Sequence, residues 1–270
     1  MEAIIYVIIF IIGALFGSFY TLATYRIPRH QDITHTRSYC PKCNHKLGFF
    51  DMFPIFSYIF LGGKCRYCKN KIGPRYLILE VCSGLIFVSL FYLMKIDIYN
   101  IDVKILIKFG FMSLFLSYIF ITAWIDKENK NVENKVTIYG IIISLLYIAY
   151  LCIVENANIY KYAMYMCFYA LVLIADITSV KNKKQDNYIA GIMFALITMG
   201  VFTGENAILY TLCIFISMII LYMCFEWMDR YSKKKSDLKE PLYKSIRLAY
   251  YLCIANVISI FTILLQEFII

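Results

Sequence analysis

A chain of 270 residues that is 61% hydrophobic, with a mean hydropathy of +0.67, is too apolar for an ordinary water-soluble domain. Its formal charge of +9 would suit nucleic acid. In a membrane protein the same Lys and Arg gather in cytoplasmic loops, and that reading excludes a nucleic-acid partner.

In chain order, eight apolar stretches are predicted as helices, at roughly 3–24, 77–95, 104–125, 137–154, 159–180, 188–203, 207–228 and 246–268. The first follows Met1-Glu2-Ala3 without a basic n-region or a small-residue cleavage site, so it reads as a retained helix rather than a signal peptide. The one long polar segment, about 26–76, lies between the first and second stretches, and no internal repeat is evident. The expected fold is therefore an all-α polytopic membrane protein of about eight transmembrane helices, with a cytoplasmic zinc-ribbon-like loop between the first and second. Its parts are 1–25 (first helix), 26–76 (four-Cys loop) and 77–270 (membrane domain).

Charge placement sets the topology. Alternating the spans puts loops 26–76, 126–136, 181–187 and 229–245 on one side, and with Arg247 they hold 23 of the 27 Lys and Arg. By the positive-inside rule that side is cytoplasmic and both termini face outward.

Within the polar loop, Cys40-Pro-Lys-Cys43 and Cys65-Arg-Tyr-Cys68 form a CxxC…CxxC pair separated by 21 residues. Each knuckle lets two thiolates reach one ion, and two knuckles complete a tetrahedral sulfur shell. Two disulfides are the competing reading, but a reducing cytoplasm disfavours them. Four thiolates leave no open coordination position, so the zinc would be structural. His30, His35 and His45 near the loop read as surface polar residues. The other cysteines, in apolar runs, read as packing residues.

Ionisable groups at the membrane edge are functional candidates. Asp126 closes the run Tyr118–Ile125, and Asp186 precedes the run that begins at Tyr188, so the topology places both at the cytoplasmic edge. Facing carboxylates could share a proton and act as base and acid on one water. Each could equally be a helix-end charge, with Asp186 capping the helix that follows. Asp176 and Glu80, both inside apolar runs, are rivals, and spacing alone does not choose among the four.

The residues resemble the type IV prepilin peptidases. Gly17-Ser-Phe19 with Tyr25-Arg-Ile-Pro28 is similar to the opening GSF…YRxP motif. Arg37–Cys43, Asp51-Met-Phe-Pro54, Gly63–Cys68 and Arg75-Tyr76…Glu80 follow the family's zinc loop. Trp124-Ile-Asp126, with Asn134 and Thr137, resembles the first-aspartate motif, although Glu133 stands where proline is usual. Gln185-Asp186-Asn187 sits where the family has GxGDxKL, with Lys183 and Gln185 in place of the glycines and Tyr188 in place of the lysine. The junction it occupies favours Asp186 over Asp176.

The resemblance implies a bacterial inner-membrane aspartyl endopeptidase whose active site faces the cytoplasm, with Asp126 and Asp186 as the catalytic pair. Its partners would be prepilin or pseudopilin precursors of type IV pili and protein secretion. It also implies N-methylation of the new N-terminus with S-adenosylmethionine, an activity tied to the first loop. Tyr20 and Thr21 depart from the residues usual after GSF in relatives that methylate. The alternatives are a degenerate relative that binds precursors without cutting them and a methyltransferase-only protein.

Overall fold

The computed structural model describes residues 2–97, 99–100, 102–181, 187–232 and 246–269; of the side chains at 2, 178–181, 187 and 229–232 nothing is stated. Every regular element among the described residues is a helix, and the polar loop adds turns and two isolated bridges. Among the described residues, seven helices are long and apolar enough to cross a membrane, where the hydropathy pattern predicts eight stretches. The chain is a multi-pass membrane protein.

It divides into two compact units, Met1–Ser113 and Leu114–Ile270. In the first, α1 (Glu2–Arg26) lies against α3 (Arg75–Leu93), and the loop between them carries the short helix α2 (Phe56–Phe60). The α1–α3 seam is built on Gly13 and Gly17, four residues apart on one helix face. A Cβ on Gly13 would stand 2.9 Å from the Gly84 Cα, and one on Gly17 would stand 2.8 Å from the Glu80 Cα. Small residues at this spacing let two backbones approach closely, which is how helices associate when lipid offers no hydrophobic gain. The opposing face of α3 buries Leu79, Glu80, Ser83, Gly84, Phe87, Leu90 and Phe91 at helical spacing.

The helix α4 (Val103–Asn129) runs from the first unit into the second, where α5 (Asn134–Val154), α6 (Ile159–Lys181), α7 (Asn187–Ser232) and α8 (Leu248–Ile269) follow. There α7 packs against α5, α6 and α8. Interhelical hydrogen bonds recur: the Tyr169 hydroxyl donates to Ser144 Oγ at 3.1 Å, and Asn256 Nδ2 donates to Thr211 Oγ1 at 3.1 Å. Phe202 stacks between Phe115 and Tyr147, with centroids 4.5 and 4.6 Å away.

Two of the eight predicted stretches, 188–203 and 207–228, fall within α7. The backbone leaves helical geometry at Gly204, whose φ of 78° and ψ of 175° suit a residue without a Cβ. Eight residues of straight helix rise about 12 Å. Yet Ile208 Cδ1 lies 2.6 Å from where a Gly200 Cβ would stand. The helix is therefore sharply bent at Gly204, in the gap between the two stretches.

Candidate functional site

The polar loop gathers its cysteines as their spacing requires. Cys40 Sγ and Cys68 Sγ stand 3.9 Å apart, and the four sulfurs of Cys40, Cys43, Cys65 and Cys68 lie within 4.8 Å of one another. Zinc–sulfur bonds of about 2.3 Å in a tetrahedron set the sulfurs about 3.8 Å apart, whereas a disulfide needs about 2.05 Å. All four are free thiols, and the geometry fits a metal rather than two bridges. Cys40 and Cys65 are buried, while Cys43 and Cys68 are exposed.

The two knuckles repeat one another. The Cys40 N–H donates to the His45 carbonyl and the Asn44 N–H to the Cys40 carbonyl; Cys65, Asn70 and Lys69 make the same pair of bonds in the second knuckle. The residue after each CxxC is left-handed, Asn44 at φ 55° and Lys69 at φ 57°. The spacing showed two CxxC pairs, but the shared backbone turn appears only in three dimensions. The backbone N–H of Cys68 helps hold the Cys65 thiol down to about 7, whereas the Cys43 thiol, despite the His45 N–H, is pushed up to about 11 by desolvation and the neighbouring Cys68 and Cys40 sulfurs.

Two charged side chains hold the loop in shape. Arg26, at the end of α1, is almost fully buried and donates to the carbonyls of Asp32, Thr36 and Arg37 at 2.8, 2.8 and 3.2 Å. Asp51 ties down the second knuckle: Arg66 Nε donates to its Oδ1 at 2.6 Å and the Tyr67 hydroxyl to its Oδ2 at 3.2 Å. Partial burial pushes the Asp51 carboxyl up. The Gly48 N–H and Arg66 outweigh that and hold it below its ordinary value. His30, His35 and His45 are exposed and stand outside the sulfur cluster. Beneath the knuckles lies a cavity of about 520 Å³, walled by Thr21, Tyr25, Tyr39, Tyr58, Tyr76 and Glu80 among others.

The four acidic candidates fare differently. Glu80 is buried in α3, where its Oε2 accepts the Ile55 N–H at 2.7 Å. It therefore secures the backbone of the loop rather than a basic side chain. Asp176 is half-buried on α6. Asp186 lies outside the described residues. Asp126 is fully buried near the end of α4, and its Oδ2 accepts the Tyr250 N–H at 2.8 Å. Tyr250 is the third residue of α8, whose first N–H groups have no partner within their own helix. The carboxylate thus sits at the positive end of a helix dipole.

Tyr188, at the start of α7, completes this arrangement. Its hydroxyl oxygen accepts the Leu248 N–H at 3.0 Å and lies within hydrogen-bonding reach of the Asp126 carboxylate. The Asp126 Oδ1 is buried without a hydrogen-bond partner among the described residues. An oxygen of that kind in a native structure calls for a water or a ligand. Neither the Tyr188 contact nor the α8 terminus could be read from the chain, because the groups that meet are 60 and 124 residues apart.

A multi-pass helical membrane protein whose loop after the first span carries a four-thiol cluster able to hold a metal is the class defined by these features. Within it, residues 11–94 match the bacterial peptidase A24 N-terminal domain. Three similar proteins are prepilin leader peptidase/N-methyltransferases. That of Vibrio cholerae is 36% identical over 101 residues, covering 34% of this chain and 40% of that protein. That of Klebsiella pneumoniae is 29% identical over 136 residues, covering 48% and 56%. That of Bacillus subtilis is 31% identical over 132 residues, covering 49% and 50%. Through this N-terminal region the chain is similar to the prepilin leader peptidases. It spans about half the length of the curated relatives it matches, and no solved structure matches it.

Proposed function

We propose that this chain is a membrane aspartyl endopeptidase that removes the leader from prepilin-like precursors at the cytoplasmic face of a bacterial inner membrane. The single observation that carries the reading is Asp126: a fully buried carboxylate at the end of a spanning helix, with one oxygen held by a backbone N–H and the other without a partner among the described residues. The likeness of residues 11–94 to the peptidase A24 N-terminal domain and the activity of the similar proteins support the same reading.

In this mechanism Asp126 and Asp186 work on one water. One carboxylate takes a proton from the water as it attacks the scissile carbonyl, and the other protonates the departing amine. No acyl-enzyme forms. The Tyr250 N–H and the Tyr188 hydroxyl fix the orientation of Asp126, so its open oxygen is the one available to the water.

The cavity below the knuckles suits a methyl donor. A volume of about 520 Å³ accommodates a cofactor of nucleoside size, in a lining that mixes tyrosines with Asp51 and Glu80 and with Arg26, Lys42, Arg66 and Lys71. S-adenosylmethionine would supply a methyl group for the amine that cleavage exposes. The four thiolates would hold a structural zinc and take no part in bond breaking. The second reading, a relative that binds precursors without cutting, rests on Lys183 and Gln185 standing where glycines are usual.

Asparagine variants co-expressed with a prepilin test the pair. Asp126→Asn keeps an oxygen that can accept the Tyr250 N–H, so capping of α8 survives while the charge is lost. Asp126→Asn and Asp186→Asn are each expected to abolish leader removal, and Asp176→Asn to leave it intact. Normal processing by both of the first two would sink the mechanism. Loss only with Asp176→Asn would reassign the second carboxylate.

A further inference from the structure

The loop that carries the cysteines has a second face that neither the metal nor the peptidase chemistry uses. Phe49, Phe50, Phe53, Phe56 and Phe60 form a ladder of neighbouring rings, with paired centroids 5.6 to 6.4 Å apart. Phe50 is 79% exposed and Phe60 83%, with Ile59 beside them at 61%. Along α2, Phe56, Ile59 and Phe60 follow helical spacing and share one face. Exposed aromatics in such number are far beyond the scattered apolar residues of an ordinary surface.

The depth of this face is fixed by Glu80. Its carboxylate bonds the N–H of Ile55, the residue just before α2. Glu80 lies five residues into α3, a spanning helix that begins at Arg75, which is about 7 Å along the helix axis. Amphipathic segments lying in a membrane surface bury their apolar face about 5–10 Å into the boundary between headgroups and acyl chains. The backbone is bent to reach this position, for Ile55 adopts φ 64° and ψ −55°, a conformation costly for a β-branched residue. Charge agrees with depth. Residues 26–76 hold ten Lys and Arg against two Asp, the sign that anionic headgroups attract.

We propose that the Phe49–Phe60 segment is an in-plane membrane anchor, with its phenylalanine ladder inserted into the lipid interface of the bilayer that α1 and α3 cross. It holds the four-thiol centre at the membrane surface, so the metal loop lies flat rather than extending into solvent. Lipid is the occupant, and the aromatic rings together with the basic rim are what recognise it.

Tryptophan reporters in the full-length chain test this. With Trp124→Phe and Trp227→Phe as background, Phe50→Trp and Phe60→Trp each place one fluorophore on the ladder, and His35→Trp places one on the exposed part of the loop. The proteins are reconstituted into phosphatidylcholine–phosphatidylglycerol vesicles, and circular dichroism with thiol titration checks the fold. The reporters at 50 and 60 are expected to emit to the blue of the reporter at 35. They should lose intensity to bromine-labelled phospholipid and resist acrylamide, with the pattern reversed at 35. Quenching of both ladder reporters by acrylamide and not by bromolipid overturns the proposal. So does protection from both quenchers, which would mean that protein covers the ladder. If one ladder variant fails to fold, the other reads the same face.

Discussion

At the scale of single residues, Asp126 and Tyr188 form a unit that local sequence does not announce. Tyr188 stands where the family usually has lysine, and in the chain it looked like a lost residue. In space its hydroxyl meets the Leu248 N–H and the Asp126 carboxylate, the placement the proposed mechanism needs of a positioning group. Tyr188→Phe removes that hydroxyl and nothing else. A hydrogen bond to a charged group is worth about 1.5–3 kcal/mol, so leader cleavage should fall by about tenfold or more while prepilin binding stays close to normal. Cleavage rates at saturating and limiting substrate check this, and an unchanged rate would remove Tyr188 from the site. Asp126 was legible because a carboxylate that ends an apolar run is costly wherever it faces. Its partners were not, because tertiary contact alone joins α4 to the start of α8.

Among the elements, the α1–α3 pair depends on Gly13 and Gly17. The apolar runs of both helices were plain from hydropathy, as was the cysteine spacing, since each reflects a rule that acts over a few residues. Which helix lies on which was not, for hydrophobicity is nearly uniform around a membrane helix. The Gly–xxx–Gly spacing in Gly13-Ala-Leu-Phe-Gly17 was the available signal. Gly17→Leu would drive its side chain into the backbone of α3 at Leu79 and Glu80. Overpacking of this kind costs about 1–3 kcal/mol. The variant is expected to unfold at lower temperature in detergent, and to loosen the loop by moving Glu80 away from Ile55. Leu15→Ala, at an exposed position on α1, should change neither.

On the scale of the whole molecule, the polar loop and the membrane helices draw on different sources of stability. The helices keep their backbone hydrogen bonds within themselves and stay in lipid whatever the loop does. The loop has little apolar core of its own and relies on Arg26, Asp51 and, on the proposed reading, a metal held by its four thiols. Removing metal with a chelator should therefore open the peptide bonds after Lys42, Lys64 and Lys69 to trypsin while helical content hardly changes. Protection at those lysines that survives chelation would show that the thiol cluster does not depend on metal. The break at 204–206 was legible as a gap between apolar stretches, but its sharpness was not, because a glycine marks a possible bend without setting its angle.

The repeated knuckle also bears on the order of assembly. Each half closes within six residues through its own backbone bonds, Cys40 with His45 and Cys65 with Asn70. Contacts this local form early and fast, well before distant parts of a chain have met. What remains is a single long closure that brings Cys40 to Cys68, 28 residues away. One ion bound by the four thiols would make that closure in a single event, with the chain-entropy cost of so long a loop set against metal–sulfur bonds. The nascent segment would thus wait as two finished halves, and the supply of metal would set when they join.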